Sequence, residues 1–241
     1  MLAIVNTQGS HNRSFRAFFN WCVKQDYCAR SPLEGFSPPA IPQRIKPTLT
    51  GQEIRRLIAT QSRQTFLGRR NRLIVMLLSD TGMRAAELLR LTLDDVDLRN
   101  RLVRIRRGKG NKERVVGLSE RTVKELRVYL GLDTHPADRA IHRGSSDQLM
   151  LSEERRPLTY HGVREALITM AKLAGITKAC SPHVFRHTWA RVTLAAGVDS
   201  RYVQTLGGWA SLDMVARYTK DQQADDALRA QRAHLVIDRL L

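Results

Sequence analysis

The sequence predicts a mainly helical α+β fold with one small antiparallel β-hairpin. Through most of the 241 residues, apolar side chains recur every three or four positions, which is the period of amphipathic helices. Between residues 101 and 118 the pattern changes to apolar strand formers on both sides of the turn-forming letters GKGNK, and this arrangement predicts a hairpin. Apolar residues make up 42% of the chain, so the helices and the hairpin can share a packed core.

The first predicted element is an amphipathic helix within residues 12–27. Its aromatic side chains, including Phe15, Phe18 and Phe19, recur at helical spacing. The following segment, SPLEGFSPPAIPQRIKP, contains five prolines and is predicted to be a linker. We therefore expect a boundary near residue 47, with residues 1–47 forming a partial helical unit with its linker and residues 48–241 forming the main domain. Because one helix cannot bury its apolar face alone, the first unit is expected either to be a fragment of something larger or to pack elsewhere.

After the linker, Thr50 and Glu53 have the spacing of a capping box, which marks the start of a helix. Helical periods continue to about residue 92 and resume after the hairpin. They predict helices at 119–131, 159–174, 182–196, 199–206 and 211–218. A short strand is predicted at QLMLS, and an amphipathic tail from about residue 222.

The charge balance predicts the class of partner. Lysine and arginine number 40 against 23 aspartates and glutamates, a net charge of +17. Such a surplus favours a polyanion, since fixed cations attract phosphates and release their counterions. No apolar run approaches the roughly 20 residues of a membrane-spanning helix, so no membrane partner is expected. The spacing of Cys22, Cys28 and Cys180 fits neither a disulfide framework nor a zinc site, and free thiols are typical of a reducing cytoplasm.

Four local clusters carry residues suited to phosphate chemistry. TGMRAAELLRL places Arg84 one helical turn before Glu87, and the hairpin tip holds Lys109 between two glycines. SPHVFRHTWA and LGGWASLDMVARYTK carry five further candidates, namely His183, Arg186, His187, Trp209 and Tyr218. Each cluster alone has an ordinary structural explanation: a surface ion pair, a solvated lysine, a capped helix or a buried aromatic pair.

Together the clusters describe a site for one phosphodiester. Arg84 and Arg186 can clamp its non-bridging oxygens, because the guanidinium fork matches that geometry and stays charged. A lysine can donate a proton to a leaving alkoxide, and a histidine can accept the proton of an attacking tyrosine. The arginines supply the charge stabilisation that a metal would otherwise give, so neither metal ligands nor a cofactor are expected.

These segments resemble the tyrosine recombinase (phage integrase) family, from Asn12 to about Tyr218. The family pattern is an arginine, a lysine on a β-hairpin, His-x-x-Arg, a histidine or tryptophan, and a tyrosine. This sequence has the same elements in the same order, as TGMR, GKGNK, HVFR, LGGW and ARY. Trp209 stands where the family most often has histidine, a variant that the family also uses. Family members carry a separate helical core-binding domain, and residues 1–47 resemble only its last helix and linker.

The resemblance implies the tyrosine recombinase catalytic fold and a role for each matching residue. Tyr218 would be the nucleophile that forms a 3′-phosphotyrosyl bond, while Arg84 and Arg186 bind the scissile phosphate. Lys109 would protonate the leaving 5′-oxygen, and His183 would be the base.

Further residues are implied in supporting roles. Glu87 would orient the first arginine, His187 would support the base, and Trp209 would supply packing and one N–H donor. Basic residues of the hairpin are expected to contact DNA, namely Arg106, Arg107, Lys112 and Arg114.

The resemblance also implies the partners and location. They are double-stranded DNA, further copies of the chain in a tetramer on DNA, and accessory DNA-bending proteins, in the bacterial cytoplasm with the nucleoid. The tail LRAQRAHLVIDRLL either docks on a neighbouring protomer or folds back on its own domain, and the sequence favours neither. A catalytically inactive DNA-binding protein and a type IB topoisomerase-like enzyme are the alternative functions. The full set of site residues favours an enzyme over the inactive binder, and the LGGW…RY ending with the linker pattern favours recombination over a topoisomerase.

Overall fold

The computed structural model describes residues 2–36, 47–106, 113–132, 146–216 and 218. The chain divides into two compact units, Met1–Ile45 and Lys46–Leu241. The tail from residue 219 and the hairpin tip, residues 107–112, lie outside the described residues.

The first unit contains one long helix, α1 (Leu2–Lys24). It begins ten residues before the predicted start, and the added residues contain no proline that would interrupt a helix. It ends where Asp26 adopts a left-handed conformation with φ 58°. Asp26 N donates to Val23 O at 3.1 Å and Tyr27 N donates to Cys22 O at 2.9 Å, and this pair of bonds is a Schellman ending. Aromatic side chains on α1 remain about half exposed, namely Phe15, Phe18 and Trp21.

The second unit is mainly helical, as the sequence predicts. Its helices are α2 (Gly51–Ala59), α3 (Phe66–Thr81), α4 (Ala85–Arg90), α5 (Glu120–Leu130), α6 (Tyr160–Leu173), α7 (Pro182–Ala195) and α8 (Ser200–Gly207). Residues 212–216 and Tyr218 are also helical. The capping box at the start of α2 is confirmed, with Thr50 N donating to Glu53 Oε2 at 2.7 Å and Glu53 N donating to Thr50 Oγ1 at 3.2 Å. No helix in the described part of the chain is long and apolar enough to cross a membrane.

The predicted hairpin is present as two strands of a three-stranded antiparallel sheet, in the order β1-β2-β3. The strands are β1 (Val96–Asp97), β2 (Leu102–Ile105) and β3 (Arg114–Gly117). Val103 pairs with Val116, and Ile105 pairs with Arg114. The strand predicted at QLMLS is wrong: Gln148 and Leu151 each form an isolated bridge, to Thr92 and to Pro157.

Two hydrophobic clusters position the second unit's elements. The larger one centres on α3, whose Leu73, Ile74, Leu77 and Leu78 are fully buried. The smaller one lies where α7 and α8 meet the last helical residues, and it contains Trp189, Ala190, Val203, Trp209 and Val215. Tyr218 packs at the edge of the smaller cluster. The candidate nucleophile is therefore held by an aromatic core and not by a free surface segment.

Candidate active site

Arg84 lies at the junction of α3 and α4. Gly82 ends α3 in the left-handed region with φ 57°, and Arg84 is the N-cap residue of α4. Glu87, one turn into α4, accepts hydrogen bonds from both the backbone N–H and the guanidinium of Arg84. Arg84 N donates to Glu87 Oε2 at 2.7 Å, and Arg84 Nη1 donates to Oε1 at 2.9 Å. Glu87 therefore fixes both the backbone and the guanidinium of Arg84.

Glu87 is buried and binds a second arginine from the sheet. Arg114, the first residue of β3, donates from Nη1 to Oε1 at 3.0 Å and from Nη2 to Oε2 at 2.7 Å. Burial would raise the pKa of Glu87, but the bonds from Arg114 and the Arg84 backbone, with both positive charges, lower it to about 2. Glu87 is therefore an anion at neutral pH.

Arg186 is the buried arginine of α7, with 5% of its surface exposed. Nη1 donates to Gly82 O at 2.7 Å and Nη2 donates to Gly207 O at 2.5 Å. Its Cζ lies 4.1 Å above the centre of the Trp209 ring. Burial is the main reason that the pKa of Arg186 falls to about 10, with Arg84 adding to the fall. The group still carries its charge at neutral pH.

The carboxyl end of α8 connects these arginines. Three successive carbonyls there accept a bond from three different guanidinium groups: Leu206 O from Arg114 at 2.7 Å, Gly207 O from Arg186 at 2.5 Å, and Gly208 O from Arg84 at 3.2 Å. The last carbonyls of a helix lack partners within the helix and form the negative end of its dipole. These bonds hold the turn before Trp209 against all three arginines.

Tyr218 lies between two aromatic rings. The centre of its ring is 4.8 Å from that of His187 and 5.3 Å from that of Trp209. Trp209 in turn stacks on Trp189 at 6.0 Å. His183 is exposed at the start of α7. Of the two candidate histidines, His187 is the one that contacts the phenol ring.

The hairpin residues predicted to act in the site or to contact DNA fall in different places. Lys109, Arg107 and Lys112 lie outside the described residues. Arg106 is half exposed, and its Nε lies 2.5 Å from Asp95 Oδ1.

The sequence prediction for Arg114 needs correction. It was expected on the DNA-contacting surface, but only 8% of it is exposed, and its guanidinium binds Glu87 and Leu206 O inside the domain. Side chains on a strand alternate between faces, so Arg114 shares the buried face with Val116. That alternation was the signal that could have found its position.

This cluster of arginines can bind an anionic group whose charge is shared among several oxygens, such as a phosphate. Arg84, Arg114 and Arg186 outnumber the one carboxylate among them, Glu87, so the site carries a positive surplus. Two guanidinium forks can bind the oxygens of one phosphate. Among the described residues, no three His, Cys, Asp or Glu side chains are grouped so that they could hold a metal ion.

Two features are expected to require glycine at position 208: its left-handed backbone conformation and the close approach of Arg114. Its φ is +63°, and an added Cβ would lie 2.9 Å from Arg114 Nη1. We expect Gly208→Ala to lose more free energy of unfolding than Gly175→Ala, measured by denaturant titration. Gly175 is the matched control, because it has the same φ of +63° with nothing within 4 Å of an added Cβ. Gly175→Ala should lose about 1–2 kcal/mol from backbone strain, and an equal loss at Gly208 would contradict the contact.

The sequence comparisons agree on one family. The model described as the phage integrase family matches residues 47–225. Tyrosine recombinase XerC of Myxococcus xanthus is 32% identical over 212 residues, which cover 86% of this chain and 69% of the relative. Tyrosine recombinase XerA of Thermococcus kodakarensis is 32% identical over 251 aligned positions, which cover 100% of this chain and 82% of the relative.

Solved structures with the same fold include recombinases. The crystal structure of XerA recombinase has a TM-score of 0.67 and 33% identity, over 79% of this chain and 67% of that one. The Tn1549 transposon integrase in complex with circular intermediate DNA has a TM-score of 0.69 over 89% of this chain and 74% of that one. Its identity is 21%, so this second likeness shows the fold alone.

Proposed function

Because the chain belongs to the phage integrase family of tyrosine recombinases, we propose that it is a site-specific DNA recombinase. It breaks and rejoins DNA through a 3′-phosphotyrosyl intermediate, the general mechanism of that family. The observation that carries this proposal is the grouping of Arg84 and Arg186 around the carboxyl end of α8, immediately before the segment that presents Tyr218. The structural likeness to XerA recombinase supports the same function.

The arginines bind the scissile phosphate. In the structure, the hydrogen bonds of each guanidinium to Glu87 or to backbone carbonyls use two of its N–H groups. A guanidinium has five such donors, so Arg84 and Arg186 can keep these bonds and also donate to the non-bridging oxygens. The bonds to the protein set the direction of the remaining donors before DNA arrives. Such preorganised charge stabilises the transition state without rearrangement during the reaction.

Strand cleavage transfers the phosphate to the phenol. Tyr218 Oη forms a bond to phosphorus while the bond from phosphorus to the 5′-oxygen breaks. The phenolic proton passes to His183, and Lys109 gives a proton to the 5′-oxygen, which leaves as a hydroxyl. Attack by a 5′-hydroxyl of a partner strand then reverses these steps, restoring a phosphodiester and free Tyr218. The covalent bond conserves the energy of the broken ester, so no ATP is consumed.

His183 and His187 have different roles in this proposal. His187 lies against the phenol ring and holds it in place. His183 is exposed one turn before Arg186 on α7, where the DNA backbone would approach the phosphate-binding groups. His183 is therefore assigned as the proton acceptor in the DNA-bound protein, with His187 in support.

DNA is the partner that the charge surplus fits. The net charge of +17 favours a polyanion. The first unit is proposed to be a helical part of the DNA-contacting surface, with α1 as its main element. Exchange of strands between two duplexes requires several copies, and we propose a tetramer on DNA, assisted by DNA-bending proteins.

A nicked suicide substrate tests the proposed function. Duplexes are made from candidate sites identified by a search for inverted repeats in the DNA that flanks the gene, with a nick that lets the cleaved end diffuse away. We expect a protein–DNA adduct that survives denaturation, forms in EDTA without ATP, and leaves a free 5′-hydroxyl. Mass spectrometry should place the nucleotide on the peptide that contains Tyr218.

Other outcomes would separate the alternative functions. DNA binding without any adduct would indicate the catalytically inactive binder. Relaxation of supercoiled plasmids that lack the repeats would indicate the topoisomerase-like enzyme.

A further inference from the structure

Arg114 sits at the start of the strand that returns from the hairpin tip. Its neighbours on the hairpin, Arg104 and Arg106, are at least half exposed and pair with Glu113 and Asp95. Arg114 is buried, and all three nitrogens of its guanidinium donate within the protein. The fork of Arg114 is bound to Glu87 inside the protein, so it is not the one presented to DNA.

The bonds of Arg114 join two separate parts of the site. Nη1 and Nη2 make a bidentate pair with Glu87 on α4, and Nε donates to Leu206 O at the end of α8. Glu87 and Leu206 are 119 positions apart in the sequence. Charge-assisted bidentate bonds are stronger and more directional than neutral ones. Arg114 therefore fixes the distance between α4 and the turn that precedes Trp209.

The same carboxylate controls Arg84. Oε1 of Glu87 accepts from Arg84 Nη1 and Arg114 Nη1, and Oε2 accepts from Arg84 N and Arg114 Nη2. Without Arg114, half of these bonds are lost, and a buried carboxylate with unfilled acceptors moves or takes up a proton. Either change alters the direction in which Arg84 points.

We propose that Arg114 is a positioning residue of the cleavage reaction. It holds Glu87 and the carboxyl end of α8 in register, so that Arg84 presents its remaining N–H groups to the scissile phosphate. The proposal rests on the proposed function, because the rate it concerns is that of phosphotyrosyl formation. Gly208 makes room for it, since an added Cβ there would lie 3.2 Å from the Arg114 Cζ.

Arg114→Gln and Arg114→Lys test this role against a purely structural one. Single-turnover adduct formation is measured at saturating DNA on protein whose folded fraction is known from unfolding curves. We expect Arg114→Gln to lower the rate per folded molecule about 10- to 100-fold, by analogy with the loss when a residue that orients a metal ligand is removed. Arg114→Lys keeps the charge but not the fork, so its rate should lie between those of Arg114→Gln and the wild type.

Arg72→Gln is the matched control. Arg72 is also mostly buried, makes a bidentate pair with the buried Glu125, and donates to a backbone carbonyl, Ile58 O. Its partners lie on α5 and α2, away from the arginine cluster. We expect Arg72→Gln to lose stability while the adduct rate per folded molecule stays at the wild-type value.

Two further readouts identify the route through Glu87. In a Glu87→Gln background, Arg114→Gln should add little to the loss of rate, because both changes break the same link. The acid limb of the rate profile should move to higher pH in Arg114→Lys. The Glu87 carboxyl, which also faces Arg84 and Arg186, would then have lost part of the bonding that keeps its pKa low.

The outcomes separate this inference from the proposed function. If the wild type forms no adduct at Tyr218, the proposed function fails. If the wild type forms the adduct and folded Arg114→Lys forms it at the wild-type rate, the positioning role is overturned while the function stands. Arg114→Lys decides the matter even if Arg114→Gln does not fold. Full additivity with Glu87→Gln would likewise overturn the route through Glu87.

Discussion

Tyr218→Phe should reduce covalent protein–DNA adduct to below detection while DNA binding stays unchanged. The phenylalanine ring keeps the packing against His187 and Trp209, whose ring centres lie 4.8 and 5.3 Å away. Removal of the hydroxyl therefore takes away the nucleophile while the ring keeps its place. Adduct formation is measured on the nicked substrate by denaturing electrophoresis, and binding is measured by gel shift at the same protein concentrations.

Tyr202→Phe is the control for this substitution. Tyr202 lies on α8 near the site in sequence, and 68% of its surface is exposed. It should form adduct at the wild-type rate. Adduct that persists in Tyr218→Phe, on the same substrate, would show that another residue attacks the phosphate.

Local features of the fold could be predicted because their signals lie close together in the sequence. The capping box depends on Thr50 and Glu53, three positions apart, and the structure contains both of its bonds. The link between Arg84 and Glu87 has the same spacing and is also present. The hairpin followed from apolar residues on each side of a turn sequence. Its third partner, β1, has two residues and carries too little pattern to be predicted.

The rest of the site is determined by contacts between segments far apart in the sequence, and hydrophobic periodicity does not predict such contacts. Arg114 and Leu206 are 92 positions apart, and basic composition alone placed Arg114 on the DNA-binding surface. In the sequence, Gly207 and Gly208 stand out only as part of the family motif LGGW, whereas in the structure their carbonyls accept hydrogen bonds from Arg186 and Arg84. Helical spacing alone does not predict which of His183 and His187 contacts the phenol ring of Tyr218. The packing of Tyr218 in the folded domain brings its ring against His187.

Arg186→Gln should lower the rate of adduct formation by about 10²-fold or more, the usual cost of losing one preorganised charge donor. Two effects combine. The phosphate loses a cation, and Gly82 O and Gly207 O, which accept from Arg186 at 2.7 and 2.5 Å, lose their buried donor. Because burial lowers the pKa of Arg186 only to about 10, the wild-type group is charged across the range in which the assay is run. The rate is measured in single turnover at saturating DNA.

Arg70→Gln separates the chemical loss from the cost of removing a buried arginine. Arg70 has 7% of its surface exposed and donates to a backbone carbonyl, Leu151 O, at 3.3 Å. Its loss should destabilise the fold without changing the adduct rate per folded molecule. Arg186→Lys adds a second test, since an ammonium keeps the charge but cannot span two carbonyls and a phosphate in one plane. A wild-type rate for folded Arg186→Lys would mean that charge alone, and not the fork held by Gly82 and Gly207, is what the phosphate requires.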